Sequence, residues 1–224
     1  MADLQLIIGN YNYSSWSLRP WYYLTQQGMD FETVRISLFT ETMEQEMSPY
    51  FSDGKVPVLR HGDLEIWDSL AIIEYLAELH PEVPGWPEAR RERALARSLC
   101  AEMHSSFLGL RSAMPMNCRR SFPGFRPDPE AQRDIVRVFD LWNRCRRQHE
   151  AGGPWLFGRF SAADAMYAPV VMRLVSYRVR GGDLIDGYIE TVYNSKAGQA
   201  WLKLAKAESE IIEEDEVDWP SEPI

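Results

Sequence analysis

The chain opens on a short apolar run at residues 4–8 that stops at Gly9-Asn10. A run of that length bounded by turn residues predicts a buried strand. A polar and aromatic stretch, Tyr11-Asn-Tyr-Ser-Ser-Trp-Ser17, separates it from residues 18–27, which suit a helix closed by Gly28. Phe31, Val34, Ile36 and Leu38 then mark a second strand over 31–38. That completes a βαβ unit whose two strands run parallel. Residues 42–48 are compatible with a short helix. On either side of the turn His61-Gly62-Asp63, segments 56–60 and 64–67 carry strand chemistry and predict an antiparallel hairpin. Ile72, Ile73, Leu76 and Leu79 recur at helical spacing over 70–79, with Asp68 or Ser69 as the N-cap.

A proline-dense stretch, His80-Pro-Glu-Val-Pro-Gly-Trp-Pro87, ends this alternation. Beyond it the pattern is helical over 88–113, 129–150, 162–178 and 195–207, with a long basic loop at 114–128 and no convincing strand. The chain therefore reads as an α/β domain over 1–80, a linker at 81–87, an all-helical bundle over 88–207 and an acidic tail at 208–224.

Composition narrows the function classes. With 224 residues, 45% hydrophobic and 25% charged, the chain is globular rather than disordered. No window approaches the ~18 apolar residues of a membrane span, and the start lacks a signal-peptide pattern, so a cytoplasmic protein with no membrane partner is expected. Residues 1–89 carry 4 basic and 14 acidic side chains, whereas 90–147 carry 13 basic and 6 acidic. The arginines of the middle section recur along apolar-rich helices without a recognition motif, which favours a solvated helix face over nucleic-acid binding. The last 17 residues hold 8 acids and no base, the composition of a mobile solubilising tail. Cys100, Cys118 and Cys145 form no C-x-x-C pair, so neither a disulfide framework nor a metal cage is expected, and buried side chains are.

Three places carry candidate chemistry. The first is Ser14-Ser15-Trp16-Ser17, before the first predicted helix. Unpaired N–H groups and the helix dipole favour an anion there. Thioredoxin-like thiol-exchange proteins of this βαβαββα order hold Cys-x-x-Cys at that position. A serine cannot exchange disulfides, but its hydroxyl can donate to the thiolate of a bound cofactor; helix capping is the plainer use. The second is Lys55-Val56-Pro57. A cis peptide bond before Pro57 would turn the Val56 N–H and C=O away from the sheet, free to pair with a peptide ligand. The third is Asp68-Ser69, which offers a carboxylate for an amine and a hydroxyl with free N–H groups for a carboxylate. Those are the two charges of an α-amino acid, although capping alone also accounts for the pair.

Together these motifs resemble the glutathione S-transferase superfamily along essentially the whole chain. A further match is Ser161-Ala-Ala-Asp164, like the capping box that starts the central helix of that family's second domain. Ser14-Ser15-x-Ser17-x-Arg19 is similar to the zeta class and to bacterial serine-type relatives, with Trp16 where the zeta pattern has cysteine. The resemblance implies a thioredoxin-like domain plus an all-α bundle, with glutathione as co-substrate and no metal. Ser14, with Ser15 close behind, would hold the thiolate; Trp16, Lys55, Val56, Pro57, Asp68 and Ser69 would bind the tripeptide. Tyr11, Tyr13 and His104 would line an apolar pocket for a small electrophile, with either tyrosine a rival thiolate donor. The zeta substrate-binding arginine has no counterpart at the family's spacing; Arg173 and Arg178 lie near it. Implied activities are conjugation to an electrophile and peroxide reduction, in a homodimer. Zeta-like isomerisation and a non-enzymatic stress-response or protein-interaction module are the competing readings.

Overall fold

Strand β1 (Leu4–Ile8) sits inside a four-stranded mixed sheet ordered β2-β1-β3-β4, in a computed structural model that describes residues 3–224. It pairs in parallel with β2 (Glu32–Arg35) and antiparallel with β3 (Val58–His61), which forms the expected hairpin with β4 (Leu64–Trp67). Leu6, Ile7 and Ile8 are fully buried, as a strand covered on both faces requires. Helix α1 (Ser15–Gln27) begins three residues before its apolar pattern does. Gly28 ends it in the left-handed region at φ 72°, where the N–H of Met29 reaches the Leu24 carbonyl at 3.0 Å and closes the last turn. The short α2 (Met43–Met47) and α3 (Ser69–Leu79) complete the βαβαββα order.

The second half contains more breaks than its periodicity predicts. The single helix expected over 88–113 is two, α4 (Arg90–Ser105) and α5 (Leu108–Ala113). Phe107 between them takes φ 62° with its ring buried in the core, so the apolar pattern continues while the backbone turns. Next come a two-residue strand β5 (Arg120–Ser121), α6 (Pro129–His149) and α7 (Ala162–Ser176). Helix α8 (Asp183–Tyr193) was not anticipated, and α9 (Lys196–Ala207) is capped by Ser195. One core spans both halves, joining Leu6, Leu18 and Tyr22 to Trp142, Tyr167 and Trp201. The Gly85 carbonyl accepts the Ala162 N–H at 2.8 Å, tying the segment before α4 to the start of α7.

The acidic tail is not the free extension its composition suggests. Its end forms β6 (Glu222–Pro223), paired antiparallel with β5, so a second small sheet exists where no strand was expected. Ile212 is buried, and Trp219 packs edge-on against Phe125 while its Nε1 donates to the Pro123 carbonyl. Three of the acids meet basic partners contributed by distant segments: Glu208 and Glu210 engage Arg35, and Glu222 engages Arg178. Charge content alone cannot disclose such pairings, because each partner lies more than 40 residues away.

No helix among the described residues is long and apolar enough to cross a membrane.

Candidate active site

The Val56-Pro57 peptide bond is cis. The ladders of β3 begin at Val58, so Val56 lies outside them at the sheet margin. Beside it, Asp68 holds φ 77°, a conformation that costs a non-glycine residue about 1 kcal/mol or more. Its own carboxylate secures that turn: Oδ1 accepts from the N–H groups of Leu70 at 2.8 Å and Ala71 at 3.4 Å, capping α3. Asp68 therefore does serve as a cap, but only through Oδ1. Its Oδ2 lies 3.2 Å from His104 Nε2. Ser69 is fully buried and its hydroxyl accepts from Arg19 Nη1 at 3.2 Å. Trp16, Lys55, Val56, Pro57, Asp68 and Ser69 line one cleft of about 240 Å³ together with Trp67.

A second compartment of about 360 Å³ adjoins it, sharing Trp16 and Val56 and lined by Tyr13, Ser14, Ser15, Arg111, Arg173 and Asp215 among others. Larger hollows of about 700 Å³ lie around Arg178 and around Arg119 and, Arg178 apart, contain none of the residues singled out in the sequence. Ser14 precedes α1 yet makes no capping bond with its side chain. Its hydroxyl instead donates to Ser17 Oγ at 2.8 Å, and Ser17 Oγ also accepts the Gly9 N–H at 3.0 Å. Ser15 lines the compartment, and its hydroxyl has no protein partner among the described residues.

Charge in the second compartment departs from the apolar lining expected. Two guanidinium groups lie over the Trp16 ring, Arg19 at 4.0 Å and Arg111 at 4.6 Å, with the His104 ring at 5.3 Å edge-on. Arg173 on α7 is buried, donating from Nε to the Met114 carbonyl at 2.8 Å. Arg178, by contrast, faces away toward Ser121 and Glu222. Burial, then repulsion from Arg111 and Arg173, lowers the Arg19 guanidinium to about 9. Burial and then Arg111 lower Arg173 to about 10, and burial lowers Arg111 as well. Among the described residues no carboxylate lies within ion-pair distance of these three groups. Guanidinium groups taken out of water with no ion-pair partner favour an anion from outside.

Of the three expected pocket residues, Tyr13 alone lines the acceptor compartment. Tyr11 packs against Trp201 at 4.7 Å and Trp21 at 6.2 Å, on the core side of its loop and outside the acceptor compartment. Tyr13 reaches the compartment, but its hydroxyl donates to Glu216 Oε1 at 2.5 Å and accepts from Arg119 Nη2 at 3.1 Å. With burial and Glu216 both raising its pKa, it is a poor rival for thiolate binding. His104 sits on the Asp68 side instead of among the acceptor-compartment residues. The cysteines are buried, and burial pushes Cys118 and Cys145 up to about 12 and Cys100 well up. None of them lines either compartment.

Sequence reasoning missed Arg111, Arg119, Asp215 and Glu216. The signals available were the basic 90–147 section and the acidic tail, whose pairing depends on the tertiary fold.

Residues 10–84 match the N-terminal domain and residues 88–192 the C-terminal domain of the glutathione S-transferase family. The chain belongs to the glutathione S-transferase family. It is 41% identical over 93 residues to glutathione S-transferase 1 of Dianthus caryophyllus, a match spanning 41% of each protein. It is 27% identical to the maleylacetoacetate isomerase of Rattus norvegicus over 77% of this chain and 80% of that one. A glutathione transferase homologue from Burkholderia, solved with bound glutathione, superposes with a TM-score of 0.68 at 25% identity, covering 92% of this chain and 99% of the other.

Proposed function

We propose that this chain is a glutathione-dependent transferase that binds the tripeptide in the smaller compartment and presents its sulfur to an electrophile in the larger. The observation that supports this best is the shared wall. Trp16 and Val56 belong to both compartments, so a peptide paired with Val56 has its central residue beside Ser15 and the start of α1. The γ-glutamyl carboxylate would meet the Ser69 hydroxyl, steadied by Arg19, and its ammonium the Oδ2 edge of Asp68, which it would share with His104. Lys55 is exposed and paired with Asp53 at 3.3 Å, within reach of the glycine carboxylate by charge alone. The Ser15 hydroxyl then donates to the thiolate, because the hydrogen of Ser14 is already directed to Ser17. Nearby guanidinium groups add favourable potential. The thiolate attacks an electrophilic carbon, forming the C–S bond while the leaving group departs with its electron pair; a peroxide oxygen is an alternative target.

Arg111 and Arg173 favour a particular acceptor, one bearing a carboxylate. That gives the zeta-like isomerase reading a specific footing, since a maleylacetoacetate isomerase is among the relatives and its namesake substrate is a carboxylic acid. Calorimetric titration with glutathione is expected to show saturable binding with micromolar to millimolar affinity, weakened about tenfold or more in Asp68→Asn, which loses its charge toward the ammonium. No heat at millimolar glutathione would remove the enzyme reading and leave the protein-interaction module. With glutathione bound, isomerisation of maleylacetoacetate against conjugation of 1-chloro-2,4-dinitrobenzene separates the two activities.

A homodimer is expected as well. Phe51 is 78% exposed and Trp67 48% exposed, in edge contact at 5.4 Å beside the cleft that Trp67 helps to line. The acidic α/β half would face the basic helices of a second copy, with complementarity acting mainly on orientation and rate. Analytical ultracentrifugation should give about twice the 25.9 kDa chain mass; sedimentation at the single-chain mass at micromolar concentration would refute it.

A further inference from the structure

Resting on the transferase reading, the geometry points to Asp215, delivered by the C-terminal segment, as a specificity-determining residue of the acceptor compartment, where its carboxylate weakens the pull of Arg111 and Arg173 on anionic acceptors. Asp215 ends the 3₁₀ turn Glu213–Asp215 and lines the same compartment as Ser15, Arg111 and Arg173. The segment that carries it is fixed from several directions. Ile212 is buried, and the Asp215 N–H donates to the Ile212 carbonyl at 3.0 Å. The next residue, Glu216, accepts from the Tyr13 hydroxyl at 2.5 Å and from Asn117 Nδ2 at 3.1 Å. Earlier in the segment, Arg119 donates to the carbonyls of Glu208 and Glu210, and the Glu208 carboxylate accepts the N–H groups of Tyr11 and Asn12 at 2.8 Å each.

Glu216 after it, and Glu208 and Glu210 earlier in the segment, are thus committed to structural bonds. The Asp215 carboxylate makes none: it has no hydrogen bond or ion pair among the described residues, and it is half-buried. Its effect is through space, and its field acts on Arg173. A carboxylate held there partly cancels the positive potential of the two guanidinium groups without quenching it. An incoming anion is therefore attracted by the arginines and repelled by the aspartate, whereas a neutral electrophile is affected by neither.

Two glutathione thioethers test this without catalysis. S-methylglutathione and S-carboxymethylglutathione occupy the tripeptide site alike, but only the second puts a carboxylate next to Ser15. Their dissociation constants are to be measured by calorimetry for the wild type, Asp215→Asn and Asp215→Glu. Asp215→Asn is expected to tighten S-carboxymethylglutathione roughly tenfold, as removal of one partly screened charge implies. S-methylglutathione should change by less than about twofold on the same Coulomb argument, and Asp215→Glu should keep the wild-type ratio. If Asp215→Asn shifts both ligands equally, or neither, the aspartate does not set charge preference and the proposal is overturned. If neither ligand binds the wild type, the glutathione reading itself fails and takes the proposal with it, an outcome distinct from an unchanged ratio.

Discussion

Ser15→Ala is expected to lower glutathione-dependent kcat/KM by about 10- to 100-fold while leaving the affinity for glutathione nearly unchanged. The magnitude follows from one hydrogen bond to a charged group, about 1.5–3 kcal/mol. A thiol with an unperturbed pKa of about 8.5 is mostly protonated at neutral pH, so each unit of depression gives about tenfold more thiolate. The sign is fixed by the same reasoning. Loss of a donor to the anionic form raises the thiol pKa in the complex, and the rising limb of the pH–rate profile moves to higher pH. Ultraviolet absorbance of the bound thiolate, titrated with pH, reads that shift directly. Ser14→Ala is expected to cost much less, because its hydroxyl hydrogen-bonds Ser17 Oγ, which in turn anchors the Gly9 N–H. If Ser14→Ala moves the thiolate pKa and Ser15→Ala does not, the roles are reversed and Ser14 must turn toward the ligand on binding. If the double variant turns over normally, neither hydroxyl is the donor.

The largest effect on stability is expected from Asp164→Ala. Asp164 is fully buried, and its carboxylate accepts four bonds: from the Leu156 N–H at 3.0 Å, the Ser161 N–H at 2.8 Å, the Ser161 hydroxyl at 3.1 Å and the Tyr188 hydroxyl at 3.1 Å. One carboxylate therefore starts α7, positions the loop before it and anchors α8. Alanine would strand several buried donors at about 1–3 kcal/mol each, so a loss of about 3–5 kcal/mol is expected after partial relaxation. For a chain of this size that corresponds to roughly 6–20 °C in Tm. Asp164→Asn keeps one acceptor oxygen and should fall between wild type and alanine. Burial raises the Asp164 carboxyl to about 6. Because the folded state then holds its proton more tightly than the unfolded chain does, this group favours folding below about pH 4 and the benefit fades as pH rises through 6. Scanning calorimetry of both variants across about pH 3.5 to 7 measures the effect; a change under about 1 kcal/mol in Asp164→Ala would show that water or neighbouring groups replace the carboxylate.

The local elements of the first half were legible because each has a short-range cause. The 4–8 run, the Gly28 stop, the Gly62 turn and the Asp68 cap act within a few residues, and the sheet follows from their order. Ser14 to Trp16, Val56-Pro57 and Asp68-Ser69 were legible as candidates for the same reason: each sits where a strand meets a helix or a turn. The break at Phe107 was not, because a buried aromatic continues the apolar rhythm while the backbone leaves the helix. Helix α8 was missed behind Gly181-Gly182 and a mid-helix Gly187. The division of labour between Ser14 and Ser15 was also illegible, since adjacent serines have equal chemistry until a third, Ser17, takes the hydrogen of one of them.

By itself, the sequence determined two domains of different periodicity, a helix N-terminus with serines in place of thiols, and the candidate motifs that line one cleft in the fold, because these depend on local backbone preference and on contacts close along the chain. Only the tertiary structure decided the charge of the acceptor compartment. It brings Arg19, Arg111, Arg173 and Asp215 together from four separate elements, and the acidic end folds back onto the loop that bears Tyr13. Electrostatic potential depends on distances in space, and no spacing along a chain specifies those.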